Sequence, residues 1–178
     1  MSKDQRHPWR QPSKLDDLFL YQLARLMSAA GSMVVRLCEG GYGITRREWR
    51  MIGLLADKGP LRPSQLAEHA QLDRTRTSRT ISGLIEKGLL RKQSIAADRR
   101  QALVQLTSSG IKLHGQLFPQ VQAINQELLG DVSDAELQML STVFERIGQT
   151  AAGMEQRGDF PKAERRLGRG GMPKAPKG

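Results

Sequence analysis

Apolar residues recur at helical spacing near the start of the chain. Leu15, Leu18, Phe19, Leu23, Leu26, Ala30, Met33, Val34 and Leu37 form one stripe. Ser13 stands before it as a cap with Asp16 three positions on, and Gly40-Gly41 marks its end. The next segment, ITRRE, places Thr45 and Glu48 as a capping box and sets Ile44 and Trp49 where a hydrophobic staple belongs. This predicts a second helix running to about Asp57 and closed by Lys58-Gly59-Pro60.

Leu61-Arg62 has room only for a strand stub. Pro63 fits the first position of a third helix ending near Ala70, and Gln71-Leu72 is a turn. Asp73 then caps a fourth helix in which Ile81, Leu84 and Ile85 keep helical spacing before Gly88. Residues 89–95 and 101–106 read as two short strands around a polar loop at 96–100. Thr107 caps a fifth helix with Ile111, Leu117, Val121, Ile124 and Leu128 on its stripe, and Gly115 and Pro119 are expected to kink it. Ser133 and Glu136 open a sixth, carrying Leu137, Leu140, Phe144 and Ile147.

The fourth helix departs from ordinary helix design. Arg74, Arg76 and Arg79 crowd its first two turns, the positive end of the macrodipole, where each cation is disfavoured by roughly 0.3–1 kcal/mol. A bound polyanion would offset that cost. Two short helices, a tight turn, a basic helix and a hairpin form a winged helix-turn-helix, whose second helix enters the major groove of DNA. With Thr77, Ile81 and Leu84 turned inward, the outer face carries Thr75, Arg76, Arg79 and Thr80. Arginine reads guanine bidentately, and threonine meets a thymine methyl or a phosphate. The candidate DNA contacts are therefore Arg74, Thr75, Arg76, Thr77, Arg79 and Thr80, joined by Arg99 and Arg100 of the wing. Arg99, at the wing tip, suits insertion into the minor groove or a plain phosphate contact. Asp98 paired with Arg100 would hold the loop in shape.

Charge sharpens this picture. The 178-residue chain has a formal charge of +10, concentrated in two zones: residues 74–100 carry a net +6 and residues 157–178 a net +5. The second zone is rich in Gly, Pro, Lys and Arg with little to bury, and reads as a disordered basic tail. No apolar run approaches the ~20 residues of a membrane span, and the N-terminus lacks a secretory apolar segment. A single cysteine, Cys38, suits a reducing compartment, so the expected location is cytoplasmic, without a membrane partner. His7, His69 and His114 are scattered. No carboxylate pair, phosphate loop or metal-ligand spacing stands out, so neither catalysis, a metal nor a cofactor is expected. The segment RLCEGG offers only Arg36 to activate Cys38, which fits a structural thiol better than an oxidation sensor.

The order of elements, with TSRTISGLIEKGLL at 77–90 and DRRQALVQLTSSG at 98–110, resembles the MarR family of winged-helix regulators. Asp98 and Arg100 fit its D-x-R wing motif, and Leu106-Thr107 with Gly110 fit the pattern that follows. The resemblance covers about Ser13 to Gly153; the charged tail lies outside it. It implies a homodimer on a pseudo-palindromic operator, usually a repressor, released by a small and often aromatic ligand held between the first, second and fifth helices. Burial points the same way, because the apolar stripes of the first, fifth and sixth helices exceed what one chain can cover.

The resulting expectation is a mainly α fold with a small β-hairpin wing: a winged helix-turn-helix plus a helical dimerisation region. Its parts are a flexible N-terminal arm (1–12), a dimerisation helix and connection (13–44), the DNA-binding domain (45–106), C-terminal dimerisation helices (107–155) and the basic tail (156–178). For the effector, Trp49 can stack on a flat ring, Arg46 or Arg50 can pair with a carboxylate, and Arg25 and Ser28 can face the same cleft. Equally, Trp49 can be only a staple and the arginines only surface. The favoured effector is a small aromatic or heteroaromatic carboxylate, such as a hydroxybenzoate or hydroxynicotinate. The alternative function is a sequence-tolerant, nucleoid-type architectural protein that grips DNA through the winged helix and tail.

Overall fold

The computed structural model describes residues 7–95 and 98–158, with the side chains of 94–95 and 98–101 outside that description. The chain divides into two compact units, Met1–Leu129 and Gly130–Gly178. In the first unit the order is α1 (Phe19–Arg36), α2 (Arg46–Lys58), α3 (Pro63–Ala70), α4 (Arg74–Glu86), β1 (Leu90–Ile95), β2 (Asp98–Leu106) and α5 (Ser108–Leu128). The second unit is built on α6 (Asp134–Arg157).

Local capping fixes most helix starts. On α2 the Glu48 N–H donates to Thr45 Oγ1 at 3.2 Å, and the Thr45 N–H donates to Glu48 Oε2 at 2.7 Å. Asp73 accepts the Arg76 N–H at 2.8 Å, and Thr107 accepts that of Gly110 at 3.1 Å. Ser133 and Glu136 form the reciprocal box on α6. Each pairing satisfies an N–H that a helix start would leave unbonded.

The first helix starts differently from the expectation. Its capping carboxylate is Asp17, not Asp16: Asp17 Oδ2 accepts from the Ser13 N–H at 3.0 Å and from its hydroxyl at 2.9 Å. A short 3₁₀ turn follows over Leu15–Asp17, and α1 begins only at Phe19. Asp16 pairs instead with Arg25 at 3.1 Å. Nor does Gly40-Gly41 break the helix. The last turn widens into a π-turn over Leu37–Gly41, and the chain leaves through Gly43 at φ +63°. The wide turn carries Cys38 into the core, where it is fully buried.

That core belongs to the winged helix. Ile44, Met51, Ile52 and Leu55, at one end of α2 and along it, meet Leu66 of α3, Ile81 and Leu84 of α4, Leu90 and Val104 of the hairpin, and Leu117 of α5. The strands are antiparallel with Leu90 opposite Leu106. Leu61 adds a third-strand bridge, exchanging backbone hydrogen bonds with Val104 at 3.1 and 2.8 Å. Residues 98–100, expected in the hairpin loop, have strand backbone. A register shift at Ser94/Ile95 sets Ile95 opposite Asp98.

α5 runs unbroken as helix through Gly115 and Pro119. Its first turn lies hard against β1: a Cβ on Gly110 would come within 2.2 Å of the Leu89 carbonyl oxygen. Tyr42 ties the connection to α5, donating to the Gln116 carbonyl at 3.2 Å and accepting from Gln120. No residue of α1 is buried, and Leu20, Leu26, Met27 and Met33 are exposed. In the second unit α6 likewise buries none of its residues and exposes Met139, Leu140, Val143, Phe144 and Ile147.

Candidate functional site

The face of α4 away from the core is basic. Thr77, Ile81 and Leu84 are buried at 1, 2 and 0% exposure, which turns Arg74, Thr75, Arg76, Ser78 and Arg79 outward into solvent. Thr80 is half-buried, and its hydroxyl donates to the Arg76 carbonyl at 2.8 Å. Thr77, one of the expected DNA contacts, is corrected by this geometry. Its side chain is inside, with Oγ1 donating to the Asp73 carbonyl at 2.9 Å. A helix of this pitch cannot show residue 77 to a partner while seating 81 and 84 in the core.

Arg76 is held at the helix N-terminus by its own cap: Nε lies 3.3 Å from Asp73 Oδ2. Asp73 thereby accepts from the backbone of the first turn and steadies one of the three arginines. Beside this face, Pro63, Ser64, Arg74, Thr77 and Ser78 line a cleft of 270 Å³ between the N-terminal ends of α3 and α4. Ser64 and Ser78 are small polar residues without a pattern of their own, and only the packing of α3 on α4 brings them to this edge. On the wing, Arg91 and Lys92 are exposed on β1. The side chains of Asp98, Arg99 and Arg100 lie outside the described residues, as does the tail beyond Gly158.

The C-terminal end of α4 is anchored. Lys87 Nζ donates to Glu48 Oε2 at 2.9 Å and to the Gly43 carbonyl at 3.0 Å. Burial pushes the Glu48 carboxyl up, but the Thr45 N–H, the Lys87 ammonium and the Thr45 hydroxyl outweigh it and hold the carboxyl below its ordinary value. The C-terminal end of α4 is thus fixed to the first turn of α2.

The expected effector residues divide into separate places. Arg46 and Arg50 do come together, lining a second 270 Å³ cleft with Arg47, Met27 and Leu72. Arg50 Nη1 donates to the Ala70 carbonyl at the end of α3 at 3.1 Å. Trp49 is not among the residues lining this cleft. Its ring stacks on His114 of α5 at 5.3 Å and 21°, and His114 stacks in turn on Phe118 at 5.3 Å and 25°. Arg25 is drawn away by Asp16, its guanidinium 6.0 Å from the centre of the Tyr21 ring. Ser28 is exposed on α1 and does not line the cleft either. The i, i+4 spacing on α2 made the arginine pair legible, whereas Arg47 and the apolar seat depend on how α1 and the α3–α4 turn pack.

Residues 42–101 match the family model of the MarR family. Over this stretch the chain is similar to MarR-family transcriptional regulators. Among its relatives is the HTH-type transcriptional regulator MhqR of Bacillus subtilis (strain 168), 27% identical over 110 residues, covering 62% of this chain and 76% of MhqR. The fold superposes on a MarR-family transcriptional regulator from Silicibacter pomeroyi DSS with a TM-score of 0.68 and 26% identity, covering 81% of this chain and 96% of that one. It also superposes on Bordetella bronchiseptica BpsR, whose DNA binding is regulated by 6-hydroxynicotinic acid, at TM-score 0.59 and 22% identity, covering 71% of this chain and 98% of BpsR. Among the described residues, no helix is long and apolar enough to cross a membrane.

Proposed function

We propose that this chain is a MarR-type regulator, a homodimeric, sequence-specific repressor that reads a pseudo-palindromic operator through α4 and leaves it on binding a small aromatic or heteroaromatic carboxylate. The observation that carries the reading is the two-faced α4. Thr77, Ile81 and Leu84 lock it to the core, while Arg74, Thr75, Arg76 and Arg79 are exposed on the other side. A helix so held presents its N-terminal side chains to base edges at little further entropic cost. Thr80 flanks that face, Arg99 enters the adjacent minor groove, and Asp98 with Arg100 shapes the wing.

Dimerisation is supported by the apolar surface of α1 and of α6, too extensive for isolated exposed side chains. A two-fold partner covering these faces would set two recognition helices about one DNA turn apart. The effector is assigned to Arg46 and Arg50, whose forks suit a carboxylate. The regulation of BpsR by 6-hydroxynicotinic acid supports this ligand class.

Selection of bound fragments from a random DNA pool, followed by affinity measurements at physiological salt, tests the reading. A repressor should prefer a two-fold symmetric site by ~10³ or more over unrelated DNA. A ratio near unity would favour the architectural alternative, in which the net +5 of residues 157–178 supplies an unselective grip.

A further inference from the structure

Three arginines share the α2 cleft, and this count bears on what binds there. Arg46, Arg47 and Arg50 occupy the first, second and fifth positions of α2. That is the positive end of the helix, where each guanidinium is disfavoured and like charges at i, i+3 and i, i+4 repel. The three ion pairs formed among the described residues involve none of them. Arg50 is steadied by a neutral carbonyl, that of Ala70.

The heads are nonetheless seated. A Cβ at residue 31 of α1 would lie 2.7 Å from Arg46 Nη1, so the guanidinium rests where Gly31 leaves room. Met27 and Leu72 complete the lining with apolar surface. The volume, 270 Å³, falls just below the roughly 300–1,000 Å³ of drug-sized sites and suits a single ring. Trp49 is engaged with His114 instead, so the ring's support comes from Met27 and Leu72.

We infer that the ligand of this cleft is a dianion, one flat ring bearing two anionic groups, with Arg47 as the residue that selects the second group. One carboxylate takes the fork of Arg46 or Arg50. The other meets Arg47, whose charge a monocarboxylate leaves uncompensated. A second anionic group facing Arg47 adds a charge-assisted hydrogen bond that a monocarboxylate cannot make. The inference rests on the reading of this cleft as the effector site and adds the charge and the selecting residue.

The test uses the full-length protein, with benzoate as the monoanionic probe and the three benzenedicarboxylates as dianionic probes, followed through the arginine Nε–H resonances. At least one dicarboxylate should shift Arg46, Arg47 and Arg50 saturably and bind about tenfold more tightly than benzoate. Arg47→Gln should remove that advantage, lowering dicarboxylate affinity several-fold more than benzoate affinity. Gly31→Ala, which displaces the Arg46 head, should weaken both classes. If benzoate binds the cleft as tightly as every dicarboxylate, or Arg47→Gln changes neither class, the dianion inference is overturned while the effector reading stands. If no probe shifts Arg46 or Arg50, or only Arg74, Arg76 and Arg79 respond, the effector reading fails and the inference with it.

Discussion

Lys87, just beyond the end of the recognition helix, places its ammonium 2.9 Å from the Glu48 carboxylate in the first turn of α2. The same carboxylate closes the α2 capping box through Thr45. One carboxylate oxygen, Glu48 Oε2, therefore serves both the start of one helix and the orientation of another. Glu48→Gln keeps an N3 acceptor for the cap but removes the charge, and Lys87→Met leaves the carboxylate without its cation. Each should lower stability by about 1–2 kcal/mol, below the cost of breaking a fully buried pair because the Lys87 side chain is 40% exposed. Chemical denaturation at constant m-value measures it.

The same pair makes stability depend on pH in a defined direction. The Glu48 carboxyl lies below its ordinary value of 4.5 in the folded chain, so the unfolded chain binds the proton more readily. Its contribution is complete above that ordinary value and is lost as pH falls through the lower folded value. Wild-type protein should lose stability over that acid range more steeply than Glu48→Gln. Parallel pH profiles for the two would show that Glu48 contributes nothing to acid lability.

Gly110 admits no side chain. A Cβ there would approach the Leu89 carbonyl oxygen to 2.2 Å and Leu106 Cδ2 to 3.2 Å, and backbone cannot swing aside as a side-chain tip can. Gly110→Ala should separate α5 from the hairpin and cost about 3 kcal/mol, at the upper end of overpacking penalties. Gly31→Ala meets only the mobile head of Arg46 and should leave Tm nearly unchanged. A thermal melt of the two variants distinguishes a backbone clash from a side-chain one.

These positions show where sequence is informative. Capping at Thr45, Asp73, Thr107 and Ser133 was legible because the interacting groups lie three residues apart and the geometry is local. The inward set Thr77, Ile81 and Leu84 followed from helical period alone. At the start of α1 the capping carboxylate was misplaced by a single residue, since Asp16 and Asp17 are equally good acceptors on paper, and the α-helix itself begins later, at Phe19. Only the 3₁₀ turn, with Asp16 turned to Arg25, decides between them. The residues of the α2 cleft were legible in part: Arg46 and Arg50 share a helix face, but the Trp49 ring direction depends on His114, 65 positions along the chain. Arg47 and Gly31 carry no pattern at all, because their significance is the distance between two helices.

Cys38 should resist modification. It is fully buried, and burial, aided by the adjacent Glu39 and opposed by Arg46, pushes its thiol above the ordinary value. Thiolate is the reactive form, so both access and ionisation disfavour reaction. Labelling by a disulfide reagent should be slow in native protein and fast in denaturant. Rapid stoichiometric labelling of the native chain would contradict the packing of the π-turn.

The two faces of α4 should separate in their effects on DNA. Arg79→Ala removes an outward guanidinium and should lower affinity for a selected operator by roughly 1–3 kcal/mol while relaxing base preference at one position. Arg76→Ala should do the same and also remove the guanidinium that lies 3.3 Å from Asp73 Oδ2. It should therefore act slightly on stability as well as on recognition. Thr77→Ala removes a buried methyl and a hydroxyl bonded to the Asp73 carbonyl. Its cost, about 1–2 kcal/mol, should fall on folding, with base preference unchanged under conditions where the variant is folded. Truncation after Gly158 removes a net charge of +4. It should weaken binding to all sequences alike and flatten the dependence on salt, because phosphate contacts release counterions without reading bases. Salt titrations of operator and unrelated DNA with these four variants decide the matter. A tail that changed sequence preference, or an Arg79→Ala that lost affinity equally on every sequence, would reverse the roles of the two basic zones.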